Sequence, residues 1–241
     1  MKDIHKKISI LLMQMNMRLP LFGFYDAPDP EPFMPLVEPE KGDCAFLFYE
    51  QWLKGNTLHL TKERYGCGGA GNWMFGIQGR SKEEFISFLV DEEGLKASHE
   101  LMEKWIDTRK PYKALFPHLF IGPLKENLLE YARTVTFFVD PDQLSILMLG
   151  AQYFSSPDDP PPVIAPFGSG CSLLQPFRDL SLPQAALGAT DIAMRRHIPP
   201  ALLAFTVTMP MFFQLLSLDK RSFLYKRFFA ELKKARDSSR S

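Results

Sequence analysis

Residues Thr134–Phe154 read TVTFFVDPDQLSILMLGAQYF, and the change of character at Asp140 decides how the chain is built. Up to Val139 the run is β-branched and aromatic, as a strand requires. Asp140 is then placed to cap a helix and Pro141 to occupy its first turn, where a missing N–H costs nothing. Working outward, HLFIGPL (118–124), QAALGA (184–189) and LLAFTVT (202–208) read as further strands, and DIAMRRH (191–197) as a helical turn between the last two. Upstream, CAFLFYEQWLKGN (44–56) reads as a helix closed by Gly55, and TLHLT (57–61) as a short alternating strand. Ser81 and Glu84 form a capping-box pattern that opens SKEEFISFLV, and SHELMEKWIDTRK (98–110) is a helix stopped by Pro111. Strands and helices mix without a regular period or internal repeat. The expected fold is therefore α+β, a mixed sheet with helices packed around it, in one compact domain spanning residues 1–241.

The two ends and one apolar run need separate readings. Lysines before an apolar block imitate a signal peptide, but Gln14, Asn16 and Arg18 interrupt the block and no small-residue cleavage site follows. Ile8, Leu11, Leu12 and Met15 fall at helical spacing, so the start is expected to be an amphipathic helix. Leu19–Asp43 holds six prolines and mostly acidic charge. It is expected to be an extended arm rather than helix or central strand, with Phe22, Phe24, Tyr25 and Phe33 docked on the domain or on a second subunit. Ile198–Leu218 has 21 residues without a charge, long enough for a membrane span. Its β-branched first half and Pro210 point instead to a buried strand followed by a short helix. From Asp219 onward eight basic residues face three acids, and an amphipathic basic helix is expected with Phe228 and Leu232 inward.

Composition narrows the function classes. The chain has 241 residues, a formal net charge of zero and three cysteines. No global field draws in nucleic acid or an acidic membrane, and the cysteines make no disulfide framework, so a cytoplasmic setting is expected. There is no C-x-x-C, H-x-x-x-H or H-x-E pattern, so no metal is assigned, and no cofactor can be named.

One stretch invites chemistry: RYGCGGAGNWMFG, Arg64–Gly76. Gly66–Gly71 matches G-x-G-x-x-G literally. TKERY before it is no hydrophobic strand, and the second strand with its ribose-binding acid is missing, so the dinucleotide reading fails. A thiol among backbone N–H groups has its thiolate stabilised, which makes Cys67 a candidate nucleophile. The bland alternative is a small buried side chain at a turn. FGSGCSLL (167–174) repeats the theme, with Cys171 after a Gly-Ser-Gly turn whose N–H groups can form an anion nest. Arg195 supplies donors for a carboxylate or phosphate, or else merely ends a helix favourably. The expected site is one cleft holding a small anionic ligand or cofactor. Cys67 and Cys171 would be its thiols, within roughly 10 Å of each other. Gly66, Gly68, Gly69, Asn72, Gly168, Ser169, Gly170 and Arg195 would be its ligand contacts. The rival expectation is an interaction protein that uses the proline-rich arm and basic tail, with a homo-oligomer left open.

Taken together, DCAFLFYEQWLKGNTLHLTKERYGCGGAGNWMFG (43–76), VDPDQLSILML, GSGCSLL, LGATDIAMRRHIP and LLAFTVTMP resemble the bacterial and archaeal domain-of-unknown-function family 169, over roughly residues 40–215. The resemblance points to Cys44, Cys67, Gly69, Cys171, Arg195 and Pro210. Phe75 departs from it, since an aliphatic residue is expected before Gly76. The resemblance implies no activity.

Overall fold

The computed structural model describes residues 2–40, 42–61, 64, 81–108, 112–166, 177 and 179–238. In chain order these form α1 (Lys2–Gln14), β1 (Phe22–Ala27), β2 (Leu36–Val37), α2 (Tyr49–Leu53), β3 (Thr57–Leu60), α3 (Lys82–Ser87), α4 (His99–Asp107), β4 (His118–Pro123), β5 (Ala132–Val139), α5 (Pro141–Gln152), β6 (Val163–Ile164), β7 (Ala185–Gly188), α6 (Ile192–Arg195), β8 (Leu203–Thr208), α7 (Met209–Leu216) and α8 (Arg227–Ser238). The eight strands make one mixed sheet in the order β2-β3-β4-β1-β5-β8-β7-β6. Pairing is antiparallel through the middle, while β2–β3 and β6–β7, at the two edges, are parallel. The fold is α+β, as expected.

Local signals hold where both partners lie within one turn. Ser81 accepts from the Glu84 amide while Glu84 accepts from the Ser81 amide, and Asp140 with Gln143 repeats the arrangement ahead of Pro141. Gly55 sits at φ +93°, the left-handed conformation that ends a helix cheaply. Pro210 stands in the first turn of α7, behind a Thr208 cap, so β8 passes directly into a helix.

The expectation for the proline-rich arm needs correction. Phe22–Ala27 is a strand in the interior of the sheet, paired to β4 on one side and β5 on the other, and all six residues are buried. The physical reason is the placement of the prolines. Pro20 precedes the strand and Pro28 follows it, so every residue between them keeps its ladder donor. The four aromatics are docked on the domain itself: Phe22, Phe24, Tyr25 and Phe33 are all buried. Phe33 lies flat on Phe120, centroids 4.2 Å apart, and meets Tyr25 edge-on.

Alternation along the strands divides the core between two faces. The first face carries Phe22, Phe24, Leu58, Leu60, Leu119, Ile121, Phe138 and Ala204 under Phe46, Tyr49, Trp52, Met194 and Ile198. The second is covered by α1, α5, α7 and α8 above Val135, Phe137, Phe205 and Val207, and continues into the Tyr25–Phe33–Phe120 group. The tail contacts it through Phe229; Phe228, expected inward, is 81% exposed. Leu232, also expected inward, is half-buried and lines a pocket with Phe229, so the inward pair is Phe229 and Leu232, three residues apart. A separate cluster joins α3 to α4 through Phe85, Ile86, Leu89, Met102 and Ile106. Among the described residues no helix is long and apolar enough to cross a membrane.

β4 comes close to β3 at Gly122. A Cβ on Gly122 would stand 3.0 Å from the Thr57 Cα and 2.9 Å from its Oγ1. Gly122→Ala should therefore lower stability by about 1–3 kcal/mol through overpacking. The measurement is urea unfolding, with an unchanged midpoint counting against the close approach.

Candidate functional site

Of the sequence features singled out above, Cys44 and the residues flanking Arg195 lie on the first face of the sheet. Leu60 ends β3, and the chain then leaves toward the Gly66–Gly76 segment; Leu60 is part of the first-face cluster. Leu180, between β6 and β7 in the chain, packs against the same cluster. So does Cys44, which is half-buried just ahead of the 3-10 turn Ala45–Phe48. Met194 and Ile198, flanking Arg195, complete the group.

Arg195 is half-buried at the end of α6. Its Nη1 donates to the carbonyls of Ala189 and Leu202, at 3.4 and 2.5 Å, and its Nη2 donates to that of Pro200, at 2.6 Å. The guanidinium thus ties together both ends of the turn that joins β7 to β8. The cation stays at the margin of the first face with part of its donor set already used. Cys67, Cys171, Gly66, Gly68, Gly69, Asn72, Gly168, Ser169 and Gly170 lie outside the described residues.

Two polar atoms on this face were not anticipated. The Tyr49 hydroxyl and the Trp52 indole N–H are buried and, among the described residues, have no hydrogen-bond partner. They come one helical turn apart from α2 and lie among Phe22, Phe46 and Phe138. Burial, with a smaller contribution from Glu50, pushes the Tyr49 pKa up to about 12, so the group is a protonated donor at neutral pH. An unpaired buried donor costs about 1–3 kcal/mol.

A third polar group on the same face is fully partnered. Asp26 is completely buried near the end of β1. Its Oδ2 accepts from the Tyr112 hydroxyl at 2.5 Å and the Leu115 amide at 2.7 Å, and its Oδ1 accepts from the Phe116 amide at 2.9 Å. Arg133 Nε stands 3.7 Å away, supplying the opposite charge. Burial first, then the Asp26 hydrogen bond, raises the Tyr112 pKa, which keeps that proton on the phenol. Every carboxylate lone pair used here serves to hold residues 112–116 against the sheet. Asp26 is therefore a clasp, and sequence spacing had no means of finding it, since its partners lie 86 to 107 positions away.

On the second face, at the β3–β4 edge, His59 Nε2 and His118 Nδ1 are 3.1 Å apart. The His59 ring stacks on Phe120, with Glu38 Oε1 3.7 Å from its Nδ1. Arg64 Nη1 holds the other Glu38 oxygen at 2.5 Å. Burial chiefly, and then His118, lowers the His59 pKa against the opposing pull of Glu38. Among the described residues no group of three or more His, Cys, Asp or Glu is placed to hold a metal ion.

With this geometry in place, comparison with known families gives one match, to DUF169, the uncharacterised ArCR family, over residues 22–217. The chain belongs to this family. DUF169 covers the sheet from β1 to β8 together with α7, so all three sequence cysteines and Arg195 fall within it, whereas α1 and α8 lie outside. Neither the curated proteins nor the solved structures gave a match to the chain.

Two substitutions separate the clasp from the unpaired donors. Asp26→Ala leaves two amides and the Tyr112 phenol without their acceptor and Arg133 without its counter-charge, and should cost about 3–5 kcal/mol in urea unfolding. Tyr49→Phe removes a hydroxyl that has no partner among the described residues, so stability should hold or rise by about 1 kcal/mol. A loss of 2 kcal/mol or more in the same assay would mean that the Tyr49 hydroxyl has a protein partner.

Proposed function

We propose that this DUF169 protein binds a small anionic ligand or cofactor on the first face of its sheet, between the Gly66–Asn72 and Gly168–Cys171 turns. The observation that carries this reading is convergence. Leu60 and Leu180, which lead into one segment and out of the other, belong to one apolar cluster with Cys44, Met194 and Ile198. Two buried donors in that cluster, Tyr49 and Trp52, have no acceptor among the described residues, and an anionic or carbonyl oxygen of a ligand is chemistry that would satisfy them. Cys67 and Cys171 would bring thiols whose acidity is raised by neighbouring amides. Arg195 would contribute charge more than a bidentate grip, because three carbonyls already occupy its terminal nitrogens. A reducing, cytoplasmic setting suits such thiols.

The reading has a geometric demand. β3 and β7 are separated by β4, β1, β5 and β8, which at about 4.8 Å per strand spacing is roughly 24 Å. The two cysteine segments must therefore reach toward each other across the face for one ligand to touch both.

A partner-protein role is favoured by one observation, the exposure of Phe228 on a helix rich in basic residues. Against it, the arm aromatics are buried in their own chain. Arg236 is paired with Asp142, Arg227 with Glu231, and Lys233 with Gln14.

Cross-linking tests the shared cleft directly. In a Cys44→Ser background, a dimaleimide spanning roughly 10 Å, the scale of one small-molecule site, should join Cys67 to Cys171 within one chain, read by peptide mass. Two singly capped cysteines with no internal link, at dilute protein, would remove the common site.

A further inference from the structure

The β3–β4 edge carries a group that the ligand-binding reading does not use. His59 and His118 stand on adjacent antiparallel strands, on the face opposite the proposed cleft. The His59 register partner is Phe120, two residues beyond His118. The same alternation that sends Leu58, Leu60 and Leu119 to the first face sends both imidazoles to the second. Their facing nitrogens are 3.1 Å apart.

We propose that His59 Nε2 and His118 Nδ1 form a two-imidazole chelate for a divalent transition-metal ion of the zinc, nickel or copper type, with Glu38 orienting His59 from behind. Imidazole nitrogens bind such an ion at roughly 2.0–2.1 Å. Two of them in adjacent positions are then roughly 2.9 Å apart at a right angle and 3.4 Å apart at the tetrahedral angle. The observed separation falls between these limits, so the ion can replace the shared proton without moving either strand. Imidazole suits this part of the metal series, whereas carboxylate and carbonyl oxygens suit magnesium and calcium.

The surroundings match what a chelating histidine needs. Glu38 lies on the Nδ1 side of His59, the position from which a carboxylate holds that nitrogen protonated and leaves the Nε2 lone pair for an ion. Arg64 pairs with the second Glu38 oxygen and anchors that side chain. Phe120 stacks on the His59 ring at 4.8 Å and 21° between planes, which restricts its rotation. His59 is buried and His118 partly exposed, so the ion would have protein on one side and water at its remaining positions.

The test must be blind to thiols, which also bind zinc. A full-length variant with Cys44→Ser, Cys67→Ser and Cys171→Ser is titrated with zinc chloride at neutral pH in a calorimeter. One site is expected. His118→Ala in that background should abolish it, and Glu38→Gln should weaken it by about 10-fold, as loss of an orienting carboxylate does. Circular dichroism checks that each variant is folded. If His118→Ala disturbs the fold, His118→Gln, which keeps the bulk and loses the ligand, takes its place. No binding to the parent, or binding unchanged when His118 is replaced, overturns the chelate. The thiol-free background also makes its failure independent of the ligand-binding proposal.

Discussion

Everything in this fold hangs on the pairing of Phe22–Ala27 along both of its edges. The strand takes β4 on one side and β5 on the other, partners that begin about a hundred residues later in the chain. Its alternate side chains seed opposite halves of the core. Phe22 and Phe24 face Trp52, Tyr49, Phe138 and Tyr112, while Tyr25 faces Phe33. A one-residue slip would exchange these sets and put Asp26 among the aromatics of the other face. Asp26 resists that slip because its carboxylate finds two amides and a phenol only in the native register.

Around this strand the two faces have different characters. The second is closed by long amphipathic helices, including α1 and α8, which lie outside the DUF169 match. Among the described residues the first is covered by short elements: a 3-10 turn, the five residues of α2 and the four of α6. Short elements leave side chains and backbone groups to be satisfied by something other than a helix ladder. Cys44 and Arg195 lie on this face, and so do the Tyr49 and Trp52 donors, which have no partner among the described residues.

Polar groups in the interior follow one rule with two outcomes. Where the chain supplies an acceptor or donor of the right reach, the group locks a junction: Asp26 fixes 112–116, Arg195 fixes the β7–β8 turn, and Thr136 bonds Thr206 across buried strands at 2.9 Å. Where it supplies none, a desolvated group is left over, and a binding partner is one way to recover its energy. The His59–His118 pair sits between these outcomes, since two lone-pair nitrogens satisfy each other only by sharing one proton.

The sequence by itself determined the elements whose signals are local. The capping boxes at Ser81 and Asp140, the left-handed Gly55 and the start of α7 at Pro210 each place donor, acceptor or special backbone within a few residues, where chain connectivity already holds them together. The α+β class was legible for the same reason, because strand and helix periods are read within one segment. Tertiary structure alone decided which strand is central. Proline content averaged over Leu19–Asp43 masked a proline-free stretch whose partners are distant in sequence. It alone decided the phase of α8, where adjacent phenylalanines left Phe229 in and Phe228 out. It alone brought His59 to His118 and Asp26 to Tyr112. Pairing across a sheet is non-local, and nothing in a residue's own neighbourhood records what will lie 4.8 Å away on the next strand.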